Sequence, residues 1–355
     1  MTSRPVRWWS AGRSVVGRSS LLRHLLIAVL AGLVLFFLTE HLSDYRNTQL
    51  AQAAYYFCAV AGLTILTGLS GQVSLGNGAF MMVGAYTVAL LLEHHPGTTN
   101  PELVLVLLAA IGVAALVGAL VGLAAARLRG PYLAGVTLAL ALGLPALPTY
   151  AHLVGPLGGH AGIVFLPPAQ PNGMDLFRWQ AWVCCLAAVI TLFLLLNLAG
   201  SRVGRAFRAV RDDEIAASLA GMSSARVQIL AFVVSAGAAG LAGGLLAFLN
   251  GQVGPESFGL SLSLYLLAGA VVGGLGSLAG AAYGAVLVTF LPPWSTDIAN
   301  ALSLPTKVQL NLPLAFFGLT LIVAMLAFPF GLQGLLRQLW ARVRRRGTVE
   351  PITAR

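Results

Sequence analysis

Residues able to do chemistry are few in this chain, and their spacing limits what each can do. His94 and His95 are adjacent and could hold a metal ion, but no third ligand lies near them, and a tetrahedral site needs four. His152, His160 and Asp175 share one proline- and glycine-rich stretch, 152–178, without a nucleophile or metal set to serve, so that stretch reads as an external loop or gate. Cys58, Cys184 and Cys185 lack C-x-x-C spacing and fall in apolar runs, where a thiol fills space. A phosphate-cradling loop needs the lysine of G-x-x-x-x-G-K-[ST], and the single lysine, Lys307, is followed by valine with no such glycine pattern. The chain is therefore expected to hold no catalytic site, no metal and no cofactor of its own, and not to hydrolyse ATP.

One charged cluster remains, residues 201–226. Arg205, Arg208 and Arg211 recur every third residue and are followed at once by Asp212, Asp213 and Glu214. Carboxylates gathered there suit the start of a short helix, where they cap free N–H groups and favour the positive end of the dipole. Gly221 supplies the stop. Between them Ile215, Leu219 and Met222 make one apolar stripe, while Ala216, Ala217 and Ala220 keep the rest of the surface slim. Such a helix can enter a groove on another protein.

The elements that must position this cluster are read from composition. Hydrophobic residues make up 58% of the 355 and charged residues 9%, with a mean hydropathy of +0.86; a soluble domain carries roughly 25% charge. The fold expected is all-α and polytopic, because each span must satisfy its own backbone in lipid. Ten spans are read, at 25–38, 50–67, 79–92, 103–126, 131–150, 179–199, 227–249, 262–272, 278–291 and 310–328. Some are short or broken near a pore. Pro145 and Pro148 should kink or end the fifth. Residues 1–24 are read as a basic cytoplasmic segment, 25–330 as the membrane domain, and 331–355 as a basic cytoplasmic tail. Stretches 250–261 and 294–309 are read as external.

Charge tests this layout. Eighteen arginines fall on the inner side, leaving only Arg46, Arg178 and Lys307 outside, in keeping with the positive-inside bias. The net charge of +10 is thus concentrated on one face beside anionic lipid headgroups, and no nucleic-acid partner is implied. No ionisable residue other than cysteine and tyrosine falls well inside a predicted span. Ion-coupled carriers usually bury such groups, so a chain of this kind needs an outside energy source or is passive. A stand-alone carrier and a passive channel stay open as rivals.

Two glycine-rich stretches bear on a pathway. Residues 68–80, with Gly71, Gln72, Ser74, Gly76 and Asn77, are uncharged yet poor helix interior; a plain turn and a broken helix lining a cavity are equally open. Gly273, Gly274, Gly276, Gly280 and Gly284 leave one face of the ninth run almost bare backbone, which suits close helix packing.

Residues 50–335 resemble the permease subunits of branched-chain amino-acid ABC importers, LivM-type. The family pattern G-x-x-G-Q-x-S-L-G-H-x-x-F-x-x-x-G-A-Y is met at Gly68, Gly71, Gln72, Ser74, Leu75, Gly76, Phe80, Gly84, Ala85 and Tyr86, with Asn77 in the histidine position. The coupling-loop pattern G-R-A-x-R-A-x-R-x-x-E-x-A-A-x-x-x-G is met from Gly204 to Gly221. Gly158, Gly159 and Gly162 resemble the family's T-G-G-x-x-G element, with Leu157 for threonine, and Ala281 stands where proline is usual after the glycine hinge. The resemblance implies a bacterial inner-membrane importer with both termini cytoplasmic, a second permease subunit, two ATPase subunits carrying ATP and Mg, and an external solute-binding protein. It implies that the helix from Arg211 to Gly221 transmits ATPase closure to the pore. Gly71–Asn77 and Gly158–Gly162 are pathway candidates. The three departures leave a related importer for urea or short amides as an alternative.

Overall fold

The computed structural model describes residues 13–302, apart from 96, 98, 129, 130 and 172, together with scattered positions between 312 and 334. In chain order the helices are α1 (Arg13–His41), α2 (Asp44–Thr64), α3 (Asn77–His94), α4 (Asn100–Ala125), α5 (Pro131–Ala146), the single turn α6 (Val154–Leu157), α7 (Leu176–Gly200), α8 (Arg202–Asp212), α9 (Glu214–Leu219), α10 (Ser224–Asn250), α11 (Leu260–Gly273) and α12 (Leu278–Ala301). Two short strands, β1 (Ile163–Val164) and β2 (Gln252–Val253), pair antiparallel. Among the described residues eight helical segments are long and apolar enough to cross a bilayer, and α3, of 18 residues, is not one of them. This is a multi-span membrane protein. The count of ten stays approximate, because the run at 310–328 lies largely outside the described residues, as do 1–12 and nearly all of 331–355.

Local chemistry sets the helix ends. At α4 the Thr99 N–H donates to Glu102 Oε2 at 2.7 Å, closing a capping box with Pro101 in the first turn. Pro145 and Pro148 act as expected: α5 stops at Ala146 and tightens into a 3-10 turn, Leu147–Thr149. Helix α1 starts at Arg13, within the basic segment, and runs unbroken into an apolar window that begins at Leu21. Helix α12 continues through Pro292 and Pro293 to Ala301, ten residues past the end read for the ninth run at 291. The Ser295 and Thr296 hydroxyls donate to the Pro292 carbonyl, at 2.7 and 3.1 Å, and tie the turn after the prolines to the helix.

Helix α10 is the centre, packed on α2, α3 and α4. Small residues allow the approach: a methyl at Gly243 would run into the Met81 carbonyl, and one at Gly84 into that of Gly240. By contrast α1 and α4 leave Leu22, Leu26, Leu30, Leu105, Leu116 and Leu120 exposed, the apolar surface a lipid-facing helix presents.

Side-chain pairs define two ends. Helices α1 and α7 run antiparallel: His24 Nδ1 lies 2.9 Å from Asn197 Oδ1 at one end, while Glu40 pairs with Arg178 and Trp182 Nε1 donates to Thr39 Oγ1 at the other. The first end also carries α8 and α9 and is the basic one. The β1–β2 pair sits at the opposite end, where the Phe165 N–H donates to the Gly251 carbonyl.

Candidate functional site

The charged cluster folds as two helices. Ser201 joins α7 to α8: its hydroxyl donates to the Leu198 carbonyl at 2.7 Å and accepts from the N–H groups of Val203 and Gly204. Helix α8 is amphipathic, and Phe207 and Val210 are buried on its inner face. Three of its four arginines, Arg205, Arg208 and Arg211, turn onto backbone carbonyls. Arg205 Nη1 donates to Gly200 and Arg208 Nη1 to Ala199, both at 3.2 Å, where cations suit the negative end of α7. Arg211 reaches further, its Nη1 donating at 2.7 Å to the Gly68 carbonyl at the end of α2. Nε and Nη2 of the same guanidinium bond Asp212 Oδ1.

The short helix expected to start among the carboxylates and stop at Gly221 forms as α9, while Arg211, which the resemblance included in it, belongs to α8. Asp213 is extended, at φ −157° and ψ 106°, and separates the two. Its carboxylate accepts from the N–H groups of Ile215 and Ala216, both at 2.9 Å, and so caps α9; a side chain that caps a new helix cannot lie within an old one. Glu214 follows in the first turn. The end of α9 is a Schellman turn, with Met222 N–H donating to Ala217 O and Gly221 N–H to Ser218 O around Gly221 at φ +83°. Ala217 faces inward, 4% exposed, and Ala216 is exposed. Ile215 and Leu219 stand out at 74% and 85% exposure.

Within the 68–80 stretch the helix breaks: past Thr64 α2 continues as a π-helical turn, Ile65–Leu69, and the chain then runs without regular secondary structure from Ser70 to Gly76 back into the bundle, with Gly71 at φ +75°. Along it Gln72 and Ser74 point inward and Gly71 and Val73 outward. The Leu75 N–H donates to Thr137 Oγ1 of α5, and Gly76 N–H to Ser74 Oγ. Helix α3 then starts inside the protein. Asn77, fully buried, donates to the Ala59 carbonyl and accepts from Ser235 Oγ, while Gly78 N–H donates to Ser263 Oγ at 3.0 Å. Ala59 precedes Leu69 by ten residues, so α3 begins about 15 Å above the basic end.

A second irregular segment meets it there, and the sequence reading missed it. Residues 250–261 read as an external loop, yet Pro255 and Phe258 are buried and the 3-10 turn Pro255–Phe258 reaches Gly78. The legible signal was a large aromatic side chain, Phe258, inside a polar stretch. By contrast Gly158, Gly159 and Gly162 lie near the opposite end and do not join the Gly71–Asn77 group. All three have positive φ, and added side chains at Gly158 and Gly162 would strike the carbonyls of Gly162 and Val253.

Gly273, Gly280 and Gly284 line the α11–α12 contact, where each backbone lies directly on its neighbour's carbonyls. Gly274 and Gly276 form the turn between the helices at positive φ, and Gly276 rests on Gly68. Three elements thus converge at the π turn that ends α2: Arg211 from α8, Gly276 from the hairpin turn, and the non-helical segment 70–76. An open cleft of about 500 Å³ beside them is lined by Ser70, Gln72, Leu133, Arg211, Glu214 and Gln228. Among the described residues no cluster of metal-ligating side chains occurs, and the three cysteines are free and buried.

Comparison with known proteins gives a consistent answer. The family model described as "Branched-chain amino acid transport system / permease component" matches residues 45–325. The high-affinity branched-chain amino acid transport system permease protein LivM of Salmonella typhimurium is 36% identical over 262 residues, covering 66% of this chain and 59% of that protein, and LivM of Escherichia coli K12 matches to the same extent. The chain thus spans less than two thirds of these relatives' length. The corresponding permease protein BraD of Pseudomonas aeruginosa is 25% identical over 270 residues, covering 73% of this chain and 87% of its own. No solved structure matches.

Proposed function

The chain belongs to the permease-component family of branched-chain amino acid transport systems, and on that premise we propose that it forms one half of the translocation pathway of an ATP-driven importer for branched-chain or related amino acids. A second permease subunit supplies the other half, two separate ATPase subunits bind ATP and Mg, and an external binding protein delivers the solute. The basic end faces the cytoplasm of a bacterial cell, beneath the inner membrane.

The observation that carries this reading is α9. A short, doubly capped helix at the basic end presents Ile215 and Leu219 to water, at 74% and 85% exposure, while Phe207 and Val210 of the same loop are buried. Bare leucine and isoleucine on a rigid knob are what a helix-in-groove contact uses. Asp213, Glu214, Ala216, Ala217 and Gly221 shape the knob, while Arg205, Arg208 and Arg211 fasten it to the bundle. Within the bundle, the non-helical Gly71–Gly76 segment and the turn Pro255–Phe258 are the irregular backbone expected where a solute passes.

The branched-chain reading is favoured over urea or short amides on the relatives' names, and the departures from the family pattern fall at positions with packing duties. Asn77 bonds α2 and α10, and Ala281 is fully buried. The experiment is reconstitution in liposomes with the neighbouring permease, ATPases and binding protein. Labelled leucine should accumulate only with ATP and the binding protein present. Accumulation by this chain alone, driven by an ion gradient, would refute the proposal.

A further inference from the structure

The coupling loop must do more than dock; its motion has to reach the pathway, and the contact that could carry it is in the structure. We propose that Arg211 is the inward latch of the loop, a positioning residue that ties α8 to the π turn of α2 and through it sets the Gly71–Gly76 segment. This rests on the coupling reading above.

Three observations place the latch. Arg211 is the last arginine of α8 and, of the three that bond carbonyls, the one that crosses to another part of the bundle, donating to Gly68 O across 143 residues of sequence. Its alkyl stem lies on Gly71, at φ +75°, where an added Cβ would stand 2.6 Å from Arg211 Cγ. On the far side of the same turn Gly276 leaves Gly68 no room for a side chain. The turn is therefore gripped between the coupling loop and the α11–α12 hairpin, and a shift of α8 cannot leave it in place. Asp212 holds two guanidinium nitrogens and fixes the direction of the third. That ion pair is exposed, so its use is orientation more than stability.

The gripped turn is also the weak point of the helix. Ser70 N–H bonds Ile65 O and Gln72 N–H bonds Leu66 O, spacings wider than an α-helix allows, as in the π-bulges found at functional sites. Beyond it the chain is fixed at Leu75 and Asn77, so displacement falls on residues 70–74.

The test is the reactivity of a Ser74→Cys thiol, since Ser74 is fully buried and the native cysteines are buried too. In the chain alone, in nanodiscs, R211A should raise maleimide modification at position 74 at least about tenfold, R211K should lie between R211A and wild type, and D212N should give a smaller rise. In the assembled transporter R211A should cut solute moved per ATP hydrolysed about tenfold, the loss of one charge-assisted hydrogen bond, with ATPase binding retained. Unchanged modification and an unchanged transport-to-hydrolysis ratio in R211A, with the ATPases still bound, would overturn the latch and leave the coupling reading standing. Failure of the wild-type chain to bind any ATPase would instead remove the reading beneath it. If R211A does not fold, D212N with both readouts decides the matter, an unchanged D212N overturning the latch.

Discussion

Truncating the α9 knob gives the most quantitative prediction. Full burial of a leucine or isoleucine side chain contributes about 1.5–3 kcal/mol, and at 85% and 74% exposure nearly all of that is still to be gained when Leu219 and Ile215 enter a groove. Cutting either to alanine should therefore cost about 1.5–2 kcal/mol of docking, or about 10–30-fold in affinity. The two side chains are one turn apart and would enter the same groove, so their effects need not add; the double variant should weaken binding by about thirtyfold to a thousandfold. The helix itself should survive, because the Asp213 cap, the buried Ala217 and the Schellman turn at Gly221 are untouched. The assay is ATPase-subunit affinity for the chain in nanodiscs, with thermal unfolding of the chain alone as control. Affinity within twofold of wild type in I215A/L219A would refute the reasoning, as would a loss of affinity fully explained by a lower unfolding temperature.

Asp213→Ala should cost about 1 kcal/mol of helix stability and raise amide exchange across α9, while Asp213→Asn, which keeps the acceptor, should stay near wild type in the same hydrogen-exchange experiment. Gly243→Val should abolish a monodisperse peak on size exclusion, since any Cβ there meets the Met81 carbonyl; Gly112→Val, in open space on α4, should leave the profile unchanged. Asn77→Leu should lower stability by about 1–3 kcal/mol, read as a fall in unfolding temperature, because the Ala59 carbonyl and the Ser235 hydroxyl lose a buried partner. Retention of wild-type stability there would mean that Asn77 is not the tie between α2, α3 and α10.

Much of this architecture was legible because membrane burial leaves a coarse trace. Long apolar runs, the arginine asymmetry and the Pro145–Pro148 stop each follow from one local rule, and the helices appear where those rules put them. The ends of the α9 knob were legible for the same reason, since Asp213 and Gly221 act within their own turns. What escaped was tertiary. Nothing local says that Arg205, Arg208 and Arg211 would bend back onto carbonyls, two of them on α7 and one on α2; a run of arginines beside acids reads as a surface for a partner. Phe258 was passed over because its polar neighbours outvoted it, although only the arrival of α3's first turn at Gly78 gives it a place to be buried. The prolines of α12 misled in the opposite sense, since the hydroxyls of Ser295 and Thr296 follow them closely enough to tie the next turn.

The account stands on which side of the membrane α9 faces and what covers it. The direct measurement is labelling of Ser218→Cys, on α9, and Gln252→Cys, on β2, with a membrane-impermeant maleimide in intact spheroplasts and in inverted vesicles carrying the whole transporter. Position 252 should label only in spheroplasts. Position 218 should label only in inverted vesicles, and only once the ATPase subunits have been stripped away. Labelling of position 218 from outside intact spheroplasts, or labelling in inverted vesicles that bound ATPase does not reduce, would contradict the account.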